Sequence, residues 1–309
     1  MKNEVLTIEN EKYKALITAN YGMNCFKIES KQTGKNILRS PKNTEFLGDK
    51  DAFLFGMPIL CFPNRISGGE FVFENRKYKF PITEKNLNNF CHGEMHRLPF
   101  EIVEQGENLV RGRFEATKDM PYMMFHHEFR LDIEYMLDGS NIKQNVYVTN
   151  LSDKNMPFAL GFHTAFSMKF DSDKNAKEIR LCIFASSEAE RNMETFLPTG
   201  NFIHDFDGKD EMRNGSYAPY GNSVSKLLKL NGNILSLSGD NSEIRYIYDS
   251  KFKFCMLFNG NGEEFICLEP QTCLTDCLNV SDDPIQDGLI VIKPNETVEF
   301  QNIITVLKK

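Results

Sequence analysis

The 309-residue sequence has no tryptophan, no long hydrophobic run and no cluster of lysine and arginine residues. No stretch approaches the length that a helix needs to cross a bilayer, so we expect no membrane partner. The net charge is −7, and without a basic cluster we expect no nucleic-acid partner. The first residues, MKNEVLTIENEKYK, lack the apolar segment of a signal peptide. These absences together predict a cytoplasmic protein.

The sequence also lacks any Cys-x-x-Cys pair, although it contains eight cysteines. Cys182, Cys255 and Cys267 each lie within an apolar segment that resembles a strand. Without a secretory signal, such cysteines are expected to be free, buried thiols rather than disulfides. The absence of a Cys-x-x-Cys pair argues against a structural zinc site.

Phenylalanine and tyrosine are plentiful, and hydrophobic residues often alternate with polar ones. The 26 Phe and 10 Tyr residues can supply a large core. Alternation predicts two strands in FRLDIEYML (129–137) and NIKQNVYVTN (141–150), joined by the turn DGSN. The segment EFVFENRKYKF (70–80) predicts a hairpin, and FKFCMLFNGNGEEFICLEP (252–270) predicts two strands around an Asn/Gly turn.

Helical periodicity is weak throughout the chain. The segment SSEAERNMETF (186–196) is predicted to be a short helix or a loop. We find no internal repeat and no linker. The sequence therefore predicts an all-β protein, a large antiparallel β-sandwich formed by one domain over residues 1–309.

Two motifs that could carry a cofactor are set aside. The segment HGEMH places His92 and His96 four residues apart, which on a helix would form a metal-binding face. The glycine and the Asn- and Pro-rich surroundings argue against a helix, and the glutamate has the wrong offset for a zinc protease. The glycine-rich NGNGEE has no strand-to-helix context, so a nucleotide loop is not expected. We therefore predict no metal and no cofactor.

Polar residues in unusual positions remain. Asn64 and Arg65 follow the apolar MPILCFP, and His92 follows a polar loop. His163 lies within the apolar FALGFHTAF, and Glu269 ends the strand EFICLEP, just before Pro270. Each has an ordinary structural explanation: a salt-bridged arginine, a loop histidine, a satisfied core histidine, and a strand-end carboxylate facing water. Because none is close to another in sequence, only the fold could join them into a site.

Several segments, in order along the chain, resemble the aldose 1-epimerase (galactose mutarotase) family. They are ALITANYGMNCFKIESKQTGKNIL, PILCFPNRISGGEFVFENRKYKF, FCHGEMHRLPFEI, VTNLSDKNMPFALGFHTAF and FICLEPQTCLTDCLN. The resemblance covers nearly the whole chain, and its fold is a β-supersandwich.

The resemblance also implies roles for residues. Glu269 matches the general base that removes the proton of the anomeric hydroxyl, and His163 matches the general acid that protonates the ring oxygen. Arg65 and His92 match residues that bind sugar hydroxyls, and Asn64 belongs to the same segment as Arg65. The implied reaction interconverts the α and β anomers of a sugar without a cofactor.

Two departures from the family pattern affect the expected substrate. The family usually carries a hydroxyl-binding Asp after a Pro-Thr-Gly turn; LPTGNF is present at 197–202, but only Asp205 and Asp207 follow as candidates. The hexose-6-phosphate branch typically has an arginine four residues after the histidine of the His-Gly motif. Here His96 takes that place, with Arg97 beside it.

The leading hypothesis is therefore an aldose 1-epimerase acting on a free aldose, an aldohexose above all, as a monomer or a homodimer. One alternative is a hexose-6-phosphate 1-epimerase, which predicts lysine or arginine side chains along the pocket. Another is a carbohydrate-binding protein on the same fold without catalysis, since a fold does not determine a function.

Overall fold

A computed structural model describes residues 5–49, 51–172, 176–221, 223–260, 262 and 264–309. Strands dominate the described chain. The first eight are β1 Val5–Glu9, β2 Tyr13–Thr18, β3 Asn24–Ser30, β4 Lys35–Asn36, β5 Ile59–Leu60, β6 Arg65–Ser67, β7 Glu70–Phe73 and β8 Arg76–Lys79. The next eight are β9 Asn89–Cys91, β10 Glu101–Gln105, β11 Leu109–Ala116, β12 Phe129–Asp138, β13 Asn141–Asn150, β14 Met156–Phe158, β15 Gly161–Phe162 and β16 Thr164–Ser167. The last eight are β17 Arg180–Arg191, β18 Pro198–Ile203, β19 Ser225–Ser238, β20 Ser242–Tyr248, β21 Phe254–Phe258, β22 Phe265–Gln271, β23 Ile290–Ile292 and β24 Thr297–Lys308.

Helices are few and short. The α-helices are α1 Lys209–Asn214 and α2 Cys277–Val280. The 3-10 helices are Thr44–Gly48, Ala52–Leu54, Lys85–Leu87, Met95–Arg97 and Ala176–Glu178. None of the helices in the described ranges is long and apolar enough to cross a membrane.

The largest sheet has fourteen strands and runs in the order β10-β11-β12-β13-β24-β20-β19-β21-β22-β15-β5. Strand β16 also pairs with β22, and β17 joins β18 to β19. Strands β1 to β4 form a separate four-stranded sheet, and the ribbons β6-β9, β7-β8 and β14-β23 are two-stranded. Antiparallel pairing throughout these sheets confirms the predicted all-β sandwich.

The predicted strand pairs are confirmed, with one difference in the outer face of β12 and β13. The Asn/Gly turn predicted between β21 and β22 lies partly outside the described residues. Strands β12 and β13 pair from Phe129 with Asn150 to Asp138 with Asn141, as the DGSN turn predicts. Asp132 and Glu134, on the face opposite the core residues, are buried as well. They face arginines on the neighbouring strand: Arg113 Nε lies 2.7 Å from Asp132 Oδ1, and Arg111 bonds Glu134. Cross-strand ion pairs thus cover a face that alternation alone predicts to be open to water.

The prediction for residues 186–196 was wrong for its first half. Residues 186–191 belong to strand β17, and only 192–196 form a turn. The inward positions of this strand are occupied by Ser187 and Ala189, which are 1% and 2% exposed. Because these side chains are small and one is polar, the segment has no hydrophobic alternation, although its backbone is a strand.

The core is built from aromatic rings. Phe62 packs against Phe71, Phe80, Phe125 and Phe158, with ring centroids 5.6–6.4 Å apart. The largest fully buried side chains are all tyrosine or phenylalanine. Tilted and edge-to-face ring pairs of this kind add stabilisation beyond the burial of apolar area.

All eight cysteines are free thiols, as predicted. Cys255 and Cys267 are buried within strands β21 and β22. Cys182 is only half-buried, which corrects the expectation that it is a core residue.

His127 is a core histidine with both ring nitrogens satisfied. Its Nε2 lies 2.8 Å from the Tyr78 hydroxyl, and its Nδ1 lies 2.8 Å from Ser152 Oγ. Because Ser152 donates its proton to Asn150 Oδ1, it accepts from Nδ1–H, and Nε2 accepts from Tyr78. Burial, with the charge of Arg76, lowers the pKa of His127 to about 4. The folded protein therefore holds this ring neutral.

The neutral ring predicts a loss of stability in acid. With the His127 pKa lower in the folded than in the unfolded chain, the unfolded chain takes up the proton first as pH falls below 6.5. Between about pH 7.5 and 5, wild type should lose on the order of 1 kcal/mol more unfolding free energy than His127→Gln. Urea unfolding at the two pH values measures this. His204→Gln, at an exposed position that has no part in the His127 shift, is the matched control, and an equal effect there would contradict the role of the buried ring.

Candidate functional site

A two-stranded ribbon brings Arg65 and His92 together. Strand β6 begins at Arg65, which pairs with Cys91 at the end of β9, directly before His92. The backbone N–H of His92 donates to the Asn64 carbonyl (2.8 Å), and the Asn64 N–H donates to His92 Nδ1 (3.3 Å). Since Nδ1 accepts, the neutral ring carries its proton on Nε2. Asn64 and His92, which are 28 positions apart in the sequence, are thus fixed as one unit.

Gly93 explains why a glycine follows His92. It has a φ of +70° and forms a bridge with Cys61. A Cβ at this position would lie 1.9 Å from the Cys61 carbonyl oxygen and 2.7 Å from the Tyr122 hydroxyl. Only a glycine allows the loop to approach this closely, and the approach fixes the backbone that carries His92.

His163 is buried, as its apolar segment predicts, and Glu269 is more deeply placed than the sequence predicts. His163 does not lie inside a strand; it is the single residue between β15 and β16, and its N–H donates to the Pro58 carbonyl (3.0 Å). Glu269 is not at a strand end facing water; it lies within β22 and is 1% exposed. Strands β15 and β16 both pair with β22, so the break at His163 lies beside Glu269.

The two side chains are in contact. His163 Nε2 lies 3.2 Å from Glu269 Oε1, while His163 Nδ1 and Glu269 Oε2 have no hydrogen-bond partner among the described residues. Burial lowers the pKa of His163 to about 3. Burial also raises the pKa of Glu269 well above 4.5, against the opposing effect of the Arg65 charge. Both shifts favour a pair that holds one proton in total.

A cavity of about 700 Å³ opens over this pair. Three rings meet in its wall: the Phe53 centroid lies 5.1 Å from His163 and 5.3 Å from His92, and the two imidazoles are 5.5 Å apart. Phe258 lies 6.4 Å from His163. The volume and the mixture of aromatic and polar walls suit a small polar molecule.

Arg65 is held by a carboxylate and an aromatic ring. Its Nε and Nη2 donate to the two oxygens of Glu84 at 2.8 and 2.7 Å, and its guanidinium lies 5.0 Å from the Phe196 ring centroid. Nη1 approaches Asn64 Oδ1 at 3.4 Å. This bidentate pair fixes the guanidinium plane against the cavity.

The structure brings five of the six predicted site residues to one cavity. Asn64, Arg65, His92, His163 and Glu269 all line it. The sixth does not: Asp205 is exposed in the bend after β18 and is not among the lining residues.

Two further residues, Asp207 and the Phe166 that ends the segment FALGFHTAF, also lie outside the cavity. Asp207 lines a neighbouring depression that shares Ser225 with the cavity. Phe166 is a core residue that packs on Tyr246.

Other lining residues have no role in the sequence analysis. Phe53 lies in a 3-10 helix, Glu84 precedes another, and Met256 and Ser225 lie on strands β21 and β19. Arg191 ends strand β17, inside the segment predicted as helix or loop. A strand prediction for that segment would have placed Arg191 at a strand end, where functional side chains are often found.

One group of potential metal ligands lies at the site among the described residues. The ligand atoms of His163, Cys267 and Glu269 lie within 4.8 Å of one another, and all three residues are buried. Burial, with the nearby Glu269, raises the pKa of the Cys267 thiol well above its usual value, which disfavours the thiolate that a metal needs. His96 lines the cavity outside this group, and burial lowers its pKa to about 4.

Comparisons with known proteins identify the family and agree with the fold. The family model described as aldose 1-epimerase matches residues 4–305. A galactose mutarotase-like protein from Clostridium acetobutylicum is 27% identical, with a TM-score of 0.92 over 99% of this chain and 96% of that one. An aldose epimerase homologue from C. elegans is 18% identical, with a TM-score of 0.79 over 99% of each chain. The protein LacX of Lactococcus lactis is 24% identical over 70% of this chain and 74% of its own.

The chain therefore belongs to the aldose 1-epimerase family, which confirms the resemblance seen in the sequence. The fold is that of the galactose mutarotase-like structures.

Because Gly93 closely approaches Cys61, a methyl group added at residue 93 should strongly destabilise the folded protein. Gly93→Ala combines an unfavourable φ with a severe clash, so we expect the unfolding free energy to fall by at least about 3 kcal/mol. Gly139→Ala is the matched control, because Gly139 has a φ of +56° but no atom lies within 4 Å of the point that its Cβ would occupy. The control should lose only about 1 kcal/mol. Urea unfolding measures both, and equal losses would show that the contact with Cys61 does not matter.

Proposed function

We propose that the protein is an aldose 1-epimerase that interconverts α and β anomers, with Glu269 as the base and His163 as the acid. The observation that carries the proposal is the buried 3.2 Å contact between His163 Nε2 and Glu269 Oε1 in the cavity wall. The family membership supports the reaction class.

The proton content of the pair suits this reaction. Burial disfavours the charged form of each group, so the pair retains one proton between them. Transfer of that proton from Glu269 to His163 gives a carboxylate and an imidazolium, the two forms that ring opening requires.

The two proton transfers of ring opening then balance within the site. The Glu269 carboxylate takes the proton from O1 while the His163 imidazolium gives a proton to O5, and the C1–O5 bond breaks to leave an aldehyde. Rotation about C1–C2 exposes the other carbonyl face, and the reverse transfers close the ring. Because O1 and O5 are bonded to the same carbon, two groups in contact with each other can face both oxygens.

The remaining lining residues bind and orient the sugar in this proposal. Arg65, fixed by Glu84, offers a preorganised donor to hydroxyl groups, and His92 offers Nε2–H. Asn64 lies between them and accepts from Arg65. Phe53 and Phe258 present apolar surface that suits the C–H face of a pyranose. Asp205 has no part in this proposal, since it lies outside the cavity.

A free aldose is the leading substrate hypothesis, and one observation favours the phosphosugar alternative. The cavity contains Arg97 and Arg191 in addition to Arg65, as that alternative requires. Arg97 is paired with Glu94 at 3.5 Å, so its charge is partly neutralised.

Removing the proposed base should greatly slow the catalysed exchange between α and β anomers. We expect Glu269→Gln to lower the rate of α–β exchange by about 10²- to 10⁴-fold, because an amide cannot accept the O1 proton. NMR exchange spectroscopy on equilibrated aldoses measures this rate after subtraction of the spontaneous reaction. Glu264→Gln is the control, since Glu264 precedes the same strand but its side chain is 69% exposed.

The control should keep its rate within about twofold, as for surface substitutions in general. Undiminished exchange in Glu269→Gln for every active sugar would refute its role as the base. Tight sugar binding by wild type without faster exchange would instead favour the non-catalytic alternative.

The shared proton predicts an unusual pH profile. We expect kcat/KM to stay level from about pH 7.5 to 5.5, where a histidine with the ordinary pKa of 6.5 would titrate. The rate should fall at alkaline pH, as the pair loses its one proton. Arg65→Gln should move this alkaline limb upward, because the Arg65 charge lowers the pKa of Glu269.

The uncatalysed rate at each pH is the baseline for this measurement. A titration centred near pH 6.5 would contradict the shared-proton description, and so would a downward shift of the alkaline limb in Arg65→Gln.

A further inference from the structure

Arg191 lies at the edge of the cavity in a fixed position. It is the last residue of β17, and its guanidinium contacts residues of two other strands. Nη2 donates to the Ser225 carbonyl, and Nη1 and Nη2 lie 3.4 and 3.3 Å from Ser225 Oγ. Nη1 also lies 3.9 Å from Met256 Sδ. The side chain is therefore positioned without help from a ligand.

The charge of Arg191 is not matched by a bonded carboxylate. Within the described part of the chain, its polar contacts are a carbonyl, a hydroxyl and a thioether. Arg65, in the same cavity, has a bidentate pair with Glu84. Glu188, on the strand of Arg191, is bonded to Lys226 at 2.9 Å.

Its surroundings disfavour this charge. Burial lowers the pKa of Arg191; Glu188 opposes the shift, and the charge of Arg65 adds to it. A half-buried guanidinium with spare donors and no anionic partner gains from a bound anion.

The position of Arg191 relative to the reacting pair follows from the strand register. Met256, on β21, is directly opposite Glu269 on β22, so the two side chains share one face of the sheet. Adjacent strands are about 4.8 Å apart, and the Arg191 guanidinium contacts Met256, whose strand lies between β19 and β22. The guanidinium is therefore roughly 5–10 Å from the Glu269 carboxyl group across the cavity floor. This separation matches a pyranose whose anomeric carbon is at Glu269 and whose distal carbons point to Arg191.

We propose that Arg191 is a specificity-determining residue that binds an anionic substituent, a phosphate or a carboxylate, at the end of the aldose distant from C1. The proposal rests on the anomer interconversion proposed above, and as the substrate it favours an aldose with an anionic group over the neutral free aldose. A neutral aldose would still reach Glu269 and His163, but it would leave the Arg191 charge without an anion.

Binding measurements separate this proposal from the catalytic one. Calorimetric titrations at constant ionic strength would compare glucose, galactose and mannose with their 6-phosphates and their uronates. We expect at least one 6-phosphate or uronate to bind wild type roughly 10- to 100-fold more tightly than its neutral parent. Arg191→Gln should remove most of that difference, with less than about threefold change for the neutral sugar.

Two further variants control for charge and folding. Arg180→Gln removes the same charge from the other end of β17, where the arginine pairs with Glu178, and should leave the preference for the anionic sugar intact. Arg191→Lys should restore part of it, since a lysine keeps the charge without the planar donors. Retained binding of the neutral sugar shows that Arg191→Gln is folded.

Three outcomes would overturn the proposal. The first is no preference for any anionic sugar in wild type, and the second is an unchanged preference in Arg191→Gln. The third is equal weakening of neutral and anionic sugars in Arg191→Gln, which would assign Arg191 to a hydroxyl group. Preference for the phosphate or for the carboxylate identifies the source of the anion. Failure of the proposed anomer interconversion would be seen separately. In that case NMR would show no acceleration of α–β exchange for sugars that bind.

Discussion

The cavity depends on holding a carboxyl group and an imidazole in contact, away from water. Glu269 lies inside a strand buried on both sides, and His163 occupies the one-residue break between two strands that pair with it. In low dielectric, neither group readily carries a charge alone, so the contact between them determines where a single proton resides. Phe53 and Phe258 enclose the imidazole and keep its surroundings apolar.

A second constraint is the backbone pairing of two loops that are distant in sequence. The hydrogen bonds between Asn64 and His92, and the close contact between Gly93 and Cys61, make one rigid wall from two segments. Asn64 and His92 both have positive φ, at 59° and 63°, a conformation that the surrounding contacts must maintain. The groups proposed to bind the sugar lie on this wall, so they would need little reorganisation when a ligand enters.

The sequence predicts the fold, and motifs that resemble the family predict five of the residues that line the cavity, because strand alternation and these motifs are local patterns. Contacts between segments that are distant in the sequence leave no local pattern of this kind. Nothing near Glu84 indicates that it holds Arg65, and Arg191 is hidden in a strand whose inward residues are Ser187 and Ala189. Asp205 illustrates the opposite error: a turn motif suggests it, but Asp205 is exposed in the bend after β18 and does not line the cavity.

The aromatic core built without tryptophan has a practical consequence. Ultraviolet emission from this protein comes from tyrosines, of which Tyr78, Tyr122, Tyr135, Tyr246 and Tyr248 are fully buried. The protein therefore has no indole fluorescence, and a single tryptophan introduced by substitution would be the only source of it. Phe196, beneath the Arg65 guanidinium at the cavity wall, is a position where such a fluorophore would report on a ligand entering the cavity.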